Sequence, residues 1–257
     1  MEKGDPLAAS TVLRATGEHG WVRKAQVEQA RRCLDTARIA SIVRRDWASR
    51  LLAHPRRADK HLAALLLAPL AVSHAAEVER AVVRLARDDR WDVREAAATL
   101  LGEALEVAFD HYVSSCRSWM EREEPRVRRA VVVAAKYAAR SRAPERSTRL
   151  LDLIEPALHD RDQYVRRSVG PFAIGDQLLR SYPAETLARL ERWAQDPDEV
   201  VRWNVAMAFS SAAGAKLAPQ GLPTLTALTR DPSRSVVRAA NATLRRIQKR
   251  RPDLLSA

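Results

Sequence analysis

The side chains best suited to chemistry in this 257-residue chain are a set of cations and one acid beside an aromatic ring. Arg129, Lys136 and Arg140 stand seven and four residues apart, so a helix carrying them shows all three on one side, with no acid inside it to pair with them. Arg167 and Trp203 occupy the position of Arg129 in later segments, and arginines flanking an exposed Trp suit phosphate contact combined with stacking or wedging of bases. The alternative is a solvated basic face with Trp203 packed into a junction between helices. Trp91 and Asp92 form the acid–aromatic pair; it could meet a ligand, or it could be a helix cap with the ring covering the turn. Gly-rich phosphate loops, His-Glu-x-x-His, Gly-x-Ser-x-Gly and Cys-x-x-Cys are all missing from the sequence. The six histidines are scattered, with His54 and His61 separated by Pro55, so neither a metal site nor a cofactor is expected.

What positions these residues is an internal repeat. Val-Arg recurs at Val93-Arg94, Val127-Arg128, Val165-Arg166, Val201-Arg202 and Val237-Arg238, at steps of 34, 38, 36 and 36 residues. Acids precede each pair (Asp88 and Asp89, Glu123 and Glu124, Asp160 and Asp162, Asp196 and Asp198, Asp231), which marks each as the opening of a helix. Beyond each Arg an apolar stripe continues through Ala96, Ala130, Ser168, Asn204 or Ala240 and then Leu100, Ala134, Phe172, Ala208 or Leu244. Upstream lie first helices at 78–86, 112–120, 150–158, 186–194 and 222–228, in which Trp119 and Trp193 share one phase and are expected in the core. A pair of helices this short cannot hide its stripe alone, and stacking buries it against the neighbours. The predicted fold is therefore all-α, an α-solenoid of HEAT-like antiparallel helix pairs. Residues 75–257 form five repeats in one continuous domain, and residues 1–74 form a divergent helical cap with helices near 22–34, 37–52 and 59–70.

Composition agrees with this architecture. The chain is 46% hydrophobic but only 5% aromatic, a core of Ala, Leu and Val, and its β-branched runs are too short to build strands. Cys33 and Cys116 show no paired or metal-binding spacing, which fits a reducing, cytoplasmic compartment. Met1 to Ser10 lacks the apolar core of a signal peptide, and the longest apolar run, 62–72, contains Pro69 and is about half of what a bilayer needs, so no membrane association is expected. A net charge of +12 favours polyanionic partners, and the final basic turn, Arg245, Arg246, Lys249, Arg250 and Arg251 before Pro252, also suits the helix dipole. Where turns carry acids, the repeated arginines are expected to form an Asp-Arg ladder between repeats, whatever else they touch.

From Asp89 to about Leu190 the sequence resembles the HEAT-like DNA alkylation-repair glycosylases of the AlkD type. The likeness runs through Trp91-Asp92-Val93, Leu101-Gly102, Trp119, Val127-Arg128-Arg129-Ala130, Lys136-Tyr137, Leu150-Leu151 and Val169-Gly170. The resemblance implies a concave basic groove on a DNA backbone, with a carboxylate and two Trp around an exposed lesion nucleotide. By position, that carboxylate falls on Arg94 and the later Trp on Pro171, while the earlier Trp matches Trp91 one residue out of register, leaving Asp92 displaced. The expectation is a monomeric DNA-binding repeat protein without efficient catalysis. Its expected contacts are Arg94, Arg128, Arg129, Lys136, Arg140, Arg166, Arg167, Arg202 and Trp203. Two alternatives stand beside it: an active glycosylase for cationic alkylated bases that uses Trp91 and Asp92, and a scaffold for an acidic protein surface.

Overall fold

The computed structural model describes residues 6–14, 21–35 and 39–250, and every regular element among them is helical. Arg251 and Pro252, expected in the last basic turn, lie outside the described residues, as do positions 1–5 of the amino-terminal segment. The architecture is an α-solenoid of antiparallel helix pairs, in two compact units that divide after Tyr112.

The first unit contains α1 (Pro6–Arg14), α2 (Lys24–Asp35), α3 (Ser41–Ala53), α4 (Arg57–Leu67), α5 (Ala75–Ala86) and α6 (Trp91–Val107). α4 is its central element. It is buried along almost its whole length and packs against α1, α2, α3 and α6, while α5 pairs with α6. Leucines at 62, 66, 85, 100, 101 and 105 fill the core. Tyr112 is fully buried and donates its hydroxyl to the Ala71 carbonyl at 2.8 Å; burial holds its phenol well above the usual range. Lys60 reaches Asp88 at 2.6 Å from one helix pair to the next. The bidentate Arg90 contact, with help from Lys60, keeps the Asp88 carboxyl far below the ordinary aspartate value despite its burial.

α7 (Phe109–Met120) carries the division. The second unit continues with α8 (Pro125–Ala138), α9 (Ser147–Ile154) and α10 (Gln163–Ser168), then a π-helical stretch, Val169–Leu178, that runs into α11 (Leu179–Ser181). It ends with α12 (Pro183–Trp193), α13 (Glu199–Ala208), α14 (Ala212–Lys216), α15 (Ala218–Leu228) and α16 (Arg234–Arg250). α8, α10 with its π extension, α13 and α16 lie side by side as one layer; α9, α12 and α15 form the other. The first helices start a few residues earlier than the periodicity predicts, at Pro183 rather than 186 and at Ala218 rather than 222, because Pro suits an opening turn, where its missing N–H costs nothing.

The acids between helices do two jobs. Asp162 and Asp198 cap α10 and α13, accepting from the Tyr164 and Val200 N–H groups at 2.7 and 2.8 Å. Asp160, Asp196 and Asp231 instead close each turn on the N–H two residues ahead, at 2.8 Å in each case. Trp119 and Trp193 are buried as the repeat phase predicts, and Trp193 Nε1 donates to Glu155 at 2.9 Å. Among the described residues, no helix is long and apolar enough to cross a membrane.

Candidate nucleic-acid interface

The π stretch decides what the second unit can present. Pro171 has no N–H for the Arg167 carbonyl, so an ordinary helix would lose a bond there and crowd its ring against that carbonyl. The wider turn relieves both problems and re-phases the chain. In an unbroken α-helix a step of four residues drifts by about 40°, so Tyr164 and Arg180 would end about 160° apart. Tighter α turns and wider π turns average closer to four residues per turn, which keeps Tyr164, Ser168, Phe172, Asp176 and Arg180 in one line.

Facing that line is the cationic stripe of α8. The Arg129 guanidinium stacks 4.7 Å from the Tyr164 ring centre and donates from Nε to Ser168 Oγ at 3.0 Å. Lys136 Nζ lies 3.3 Å from the Phe172 ring centre and 2.7 Å from Asp176 Oδ2. Arg140, expected on the same helix, lies just past its end in a 3-10 turn (Ala139–Ser141) and stacks on Tyr137 at 4.3 Å. Three successive cations thus each rest on an aromatic ring, an interaction worth about 0.5–1 kcal/mol at exposed sites. Arg140 and Arg167 are exposed, Arg129 and Trp203 are half-buried, and the Lys136 side chain is nearly covered.

The repeated arginines behave differently. Arg128 holds Asp160 through Nε at 2.6 Å and Nη2 at 2.9 Å while also donating to the Arg122 and Glu123 carbonyls. Arg202 repeats the arrangement on Asp231 and on the carbonyls of Asp196 and Pro197. The carboxylate partner raises the pKa of both guanidiniums, and Arg202 in turn lowers that of Asp231. These two residues are register struts, their donors spent inside the protein. Arg94 donates to the Asp88 and Asp89 carbonyls, and Arg166 is half-buried.

In the first unit, Trp91 and Asp92 open α6 and point apart. Trp91 is 55% exposed, with the Trp21 ring centre 6.3 Å away. Asp92 is buried inside the first turn and is not its cap, which is Arg90. Its oxygens lie 3.3 Å from Arg57 Nη1, 3.4 Å from the Val22 N–H and 3.6 Å from His61 Nε2. Burial pushes this carboxyl up, but His61, the Val22 N–H and Arg57 outweigh that effect and leave it below its ordinary value. It is an ionised carboxylate facing inward.

Sequence reasoning did not single out Tyr164, Asp176 or Trp21. Phe172 was expected on the buried stripe, but the π phase turns it outward over Lys136, and Ala173 and Ile174 take the core positions. Only Pro171 signals that shift in the sequence.

The model of the DNA alkylation repair enzyme family matches residues 18–172, more than half of the chain, and that of HEAT repeats matches 151–245. The chain belongs to the DNA alkylation repair enzyme family. This member carries both the inward Asp92 and the α8 stripe within the matched segment. No curated protein matches it in sequence. Among solved structures, an engineered protein is similar at TM-score 0.33 and 17% identity, covering 95% of this chain and 92% of its own. A designed armadillo repeat protein is similar at TM-score 0.33 and 18% identity, over 78% and 98%. At that level neither informs the site of this DNA alkylation repair family member.

Proposed function

We propose that this family member binds DNA through the α8 face of its second unit, gripping the phosphate backbone with little sequence preference and without efficient base excision. The observation that carries the reading is the row of ring-stacked cations, Arg129, Lys136 and Arg140, with exposed Arg167 alongside. Long cationic side chains each lose about 1.5–2 kcal/mol of rotamer freedom when fixed, and rings that already hold them lower that cost at binding. Trp203 belongs to the same layer and is the candidate stacking platform. Arg94, Arg128, Arg166 and Arg202 contribute to the overall field more than to direct contact.

Salt titration of duplex binding tests this. The logarithm of the affinity should fall linearly with log salt, and replacing Arg129, Arg140 and Arg167 together by Gln should reduce the slope by about 0.9 for each phosphate that is no longer neutralised. Binding that is absent at low salt, or indifferent to salt, refutes the reading. Nuclease-resistant capture by an acidic protein in its place would favour the scaffold alternative.

Exposed Trp91 beside Trp21, next in sequence to an ionised carboxylate, supports a second reading, excision of cationic alkylated bases, in which Asp92 stabilises positive charge on the sugar. The inward orientation of Asp92 argues against it. Abasic sites formed in methylated DNA by the native chain, and abolished in Asp92→Asn, would establish it.

A further inference from the structure

Within the stripe, the Lys136 ammonium is capped by a carboxylate. Asp176 Oδ2 sits 2.7 Å from Nζ, and the Lys136 side chain is only 7% exposed, whereas that of Asp176 is 46% exposed. The other carboxylate oxygen lies 4.0 Å from Arg180 Nη2, so one anionic group is shared by two cations from neighbouring helices over the floor of the Phe172 ring. Buried on one side and wet on the other, this is the geometry of an anion site with an occupant already in it.

Resting on the reading of this face as a DNA contact, we propose that the Lys136–Arg180 pair is a phosphodiester site held by the protein's own carboxylate, which the incoming backbone displaces. A carboxylate oxygen and a phosphodiester oxygen are equivalent acceptors for an ammonium. Being half-exposed, Asp176 can swing into water as a fully hydrated anion, with no burial penalty for leaving. Lys136 cannot swing away as readily, since its stem is packed against buried neighbours and its ammonium against the ring. Asp176 therefore acts as a competitor that sets how tightly, and at what salt, the face takes DNA.

The test is a double-mutant cycle on the full chain. Asp176→Asn should tighten duplex binding roughly five- to tenfold at moderate salt, with the salt slope close to that of the native chain, because the native complex already places Lys136 on the same phosphate once its carboxylate is displaced. Glu191→Gln, the same charge change on exposed α12, should alter affinity less than about twofold. The Asp176→Asn gain should vanish in a Lys136→Met background. Asp176→Ser provides a second route if the amide disturbs folding. A gain equal to that of Glu191→Gln, or one that persists without Lys136, overturns the proposal. Inorganic pyrophosphate in a parallel arm separates the two claims. A Lys136-dependent gain for pyrophosphate with no duplex binding by any variant keeps the anion site and removes DNA as its ligand. A gain in neither arm, with native duplex binding intact, removes the site alone.

Discussion

Gly170 and Gly175 are one π turn apart and face Asn204 and Ala208, which are one α turn apart on α13. A methyl group added at Gly175 would stand 2.3 Å from the Ala208 carbonyl oxygen and 3.1 Å from its carbon. Carbon–oxygen separations in packed helices run at about 3.3–3.6 Å, so Gly175→Ala must push α13 back by about 1 Å. The obstruction is backbone and cannot rotate aside. Overpacking of this kind costs about 1–3 kcal/mol and at times more, and a gap of that size forfeits a quarter to a half of the dispersion well for each atom pair it opens. Against this, Ala returns roughly 1 kcal/mol of helix propensity over Gly. With a backbone obstruction placing the cost in the upper part of that range, the expected net is a destabilisation of about 1–2 kcal/mol, read as a lower urea midpoint at unchanged slope. Because the same stretch carries Phe172 and Asp176, the variant should also loosen its hold on Lys136 and change duplex affinity. An unchanged or raised midpoint would show that the π stretch is not clamped against α13, and would leave Pro171 alone to fix the phase of this face.

Arg202→Met keeps volume but leaves the buried Asp231 carboxylate with only the Ser233 N–H, and should cost about 1–3 kcal/mol at neutral pH. Arg202 lowers the folded pKa of Asp231 below the ordinary 3.8, so this contribution is complete above that value and fades as pH falls through the lower folded one. The gap in melting temperature between native chain and variant should therefore be wide at pH 7 and should narrow only as pH falls below 3.8; a gap that widens in acid contradicts the assignment. Arg142, in left-handed conformation at φ 55° just past α8, should tolerate Gly well: Arg142→Gly is expected to stabilise by about 0.5–1 kcal/mol, and a lower melting temperature would mean that its side chain is needed.

The helices were legible because their signals are local and repeated. Val127, Val165 and Val201 are fully buried where the period puts them, and the acids before the last two cap or close turns through backbone N–H groups within two residues, whereas Glu124 before Val127 makes no side-chain cap bond. The ladder expected from those acids is also present at Arg128–Asp160 and Arg202–Asp231. The side chains facing Arg129 and Lys136 could not be found the same way. Their partners stand 35 to 40 residues away on the neighbouring helix, and which of its residues face α8 depends on phase. Counting at 3.6 residues per turn sends Phe172 inward, whereas the observed winding turns it out.

A helix layer built strictly from α turns presents a slanting band of side chains to its neighbour, so a cation stripe running along α8 would meet partners on the next helix for only a turn or two. Widening one turn straightens the band and lets Tyr164, Phe172 and Asp176 follow Arg129 and Lys136 over their whole length. Residues that carry no charge thus determine the electrostatics of the face. Pro171 sets the phase, and Gly170 and Gly175 let α13 approach closely enough to hold it, since a side chain at either would meet α13 backbone at under 3 Å. A relative with an ordinary α-helix in this segment could keep every cation of the stripe and still lack both the stacked rings and the capping carboxylate. The Pro-Gly pattern, more than the number of arginines, then decides which side chains meet Arg129 and Lys136.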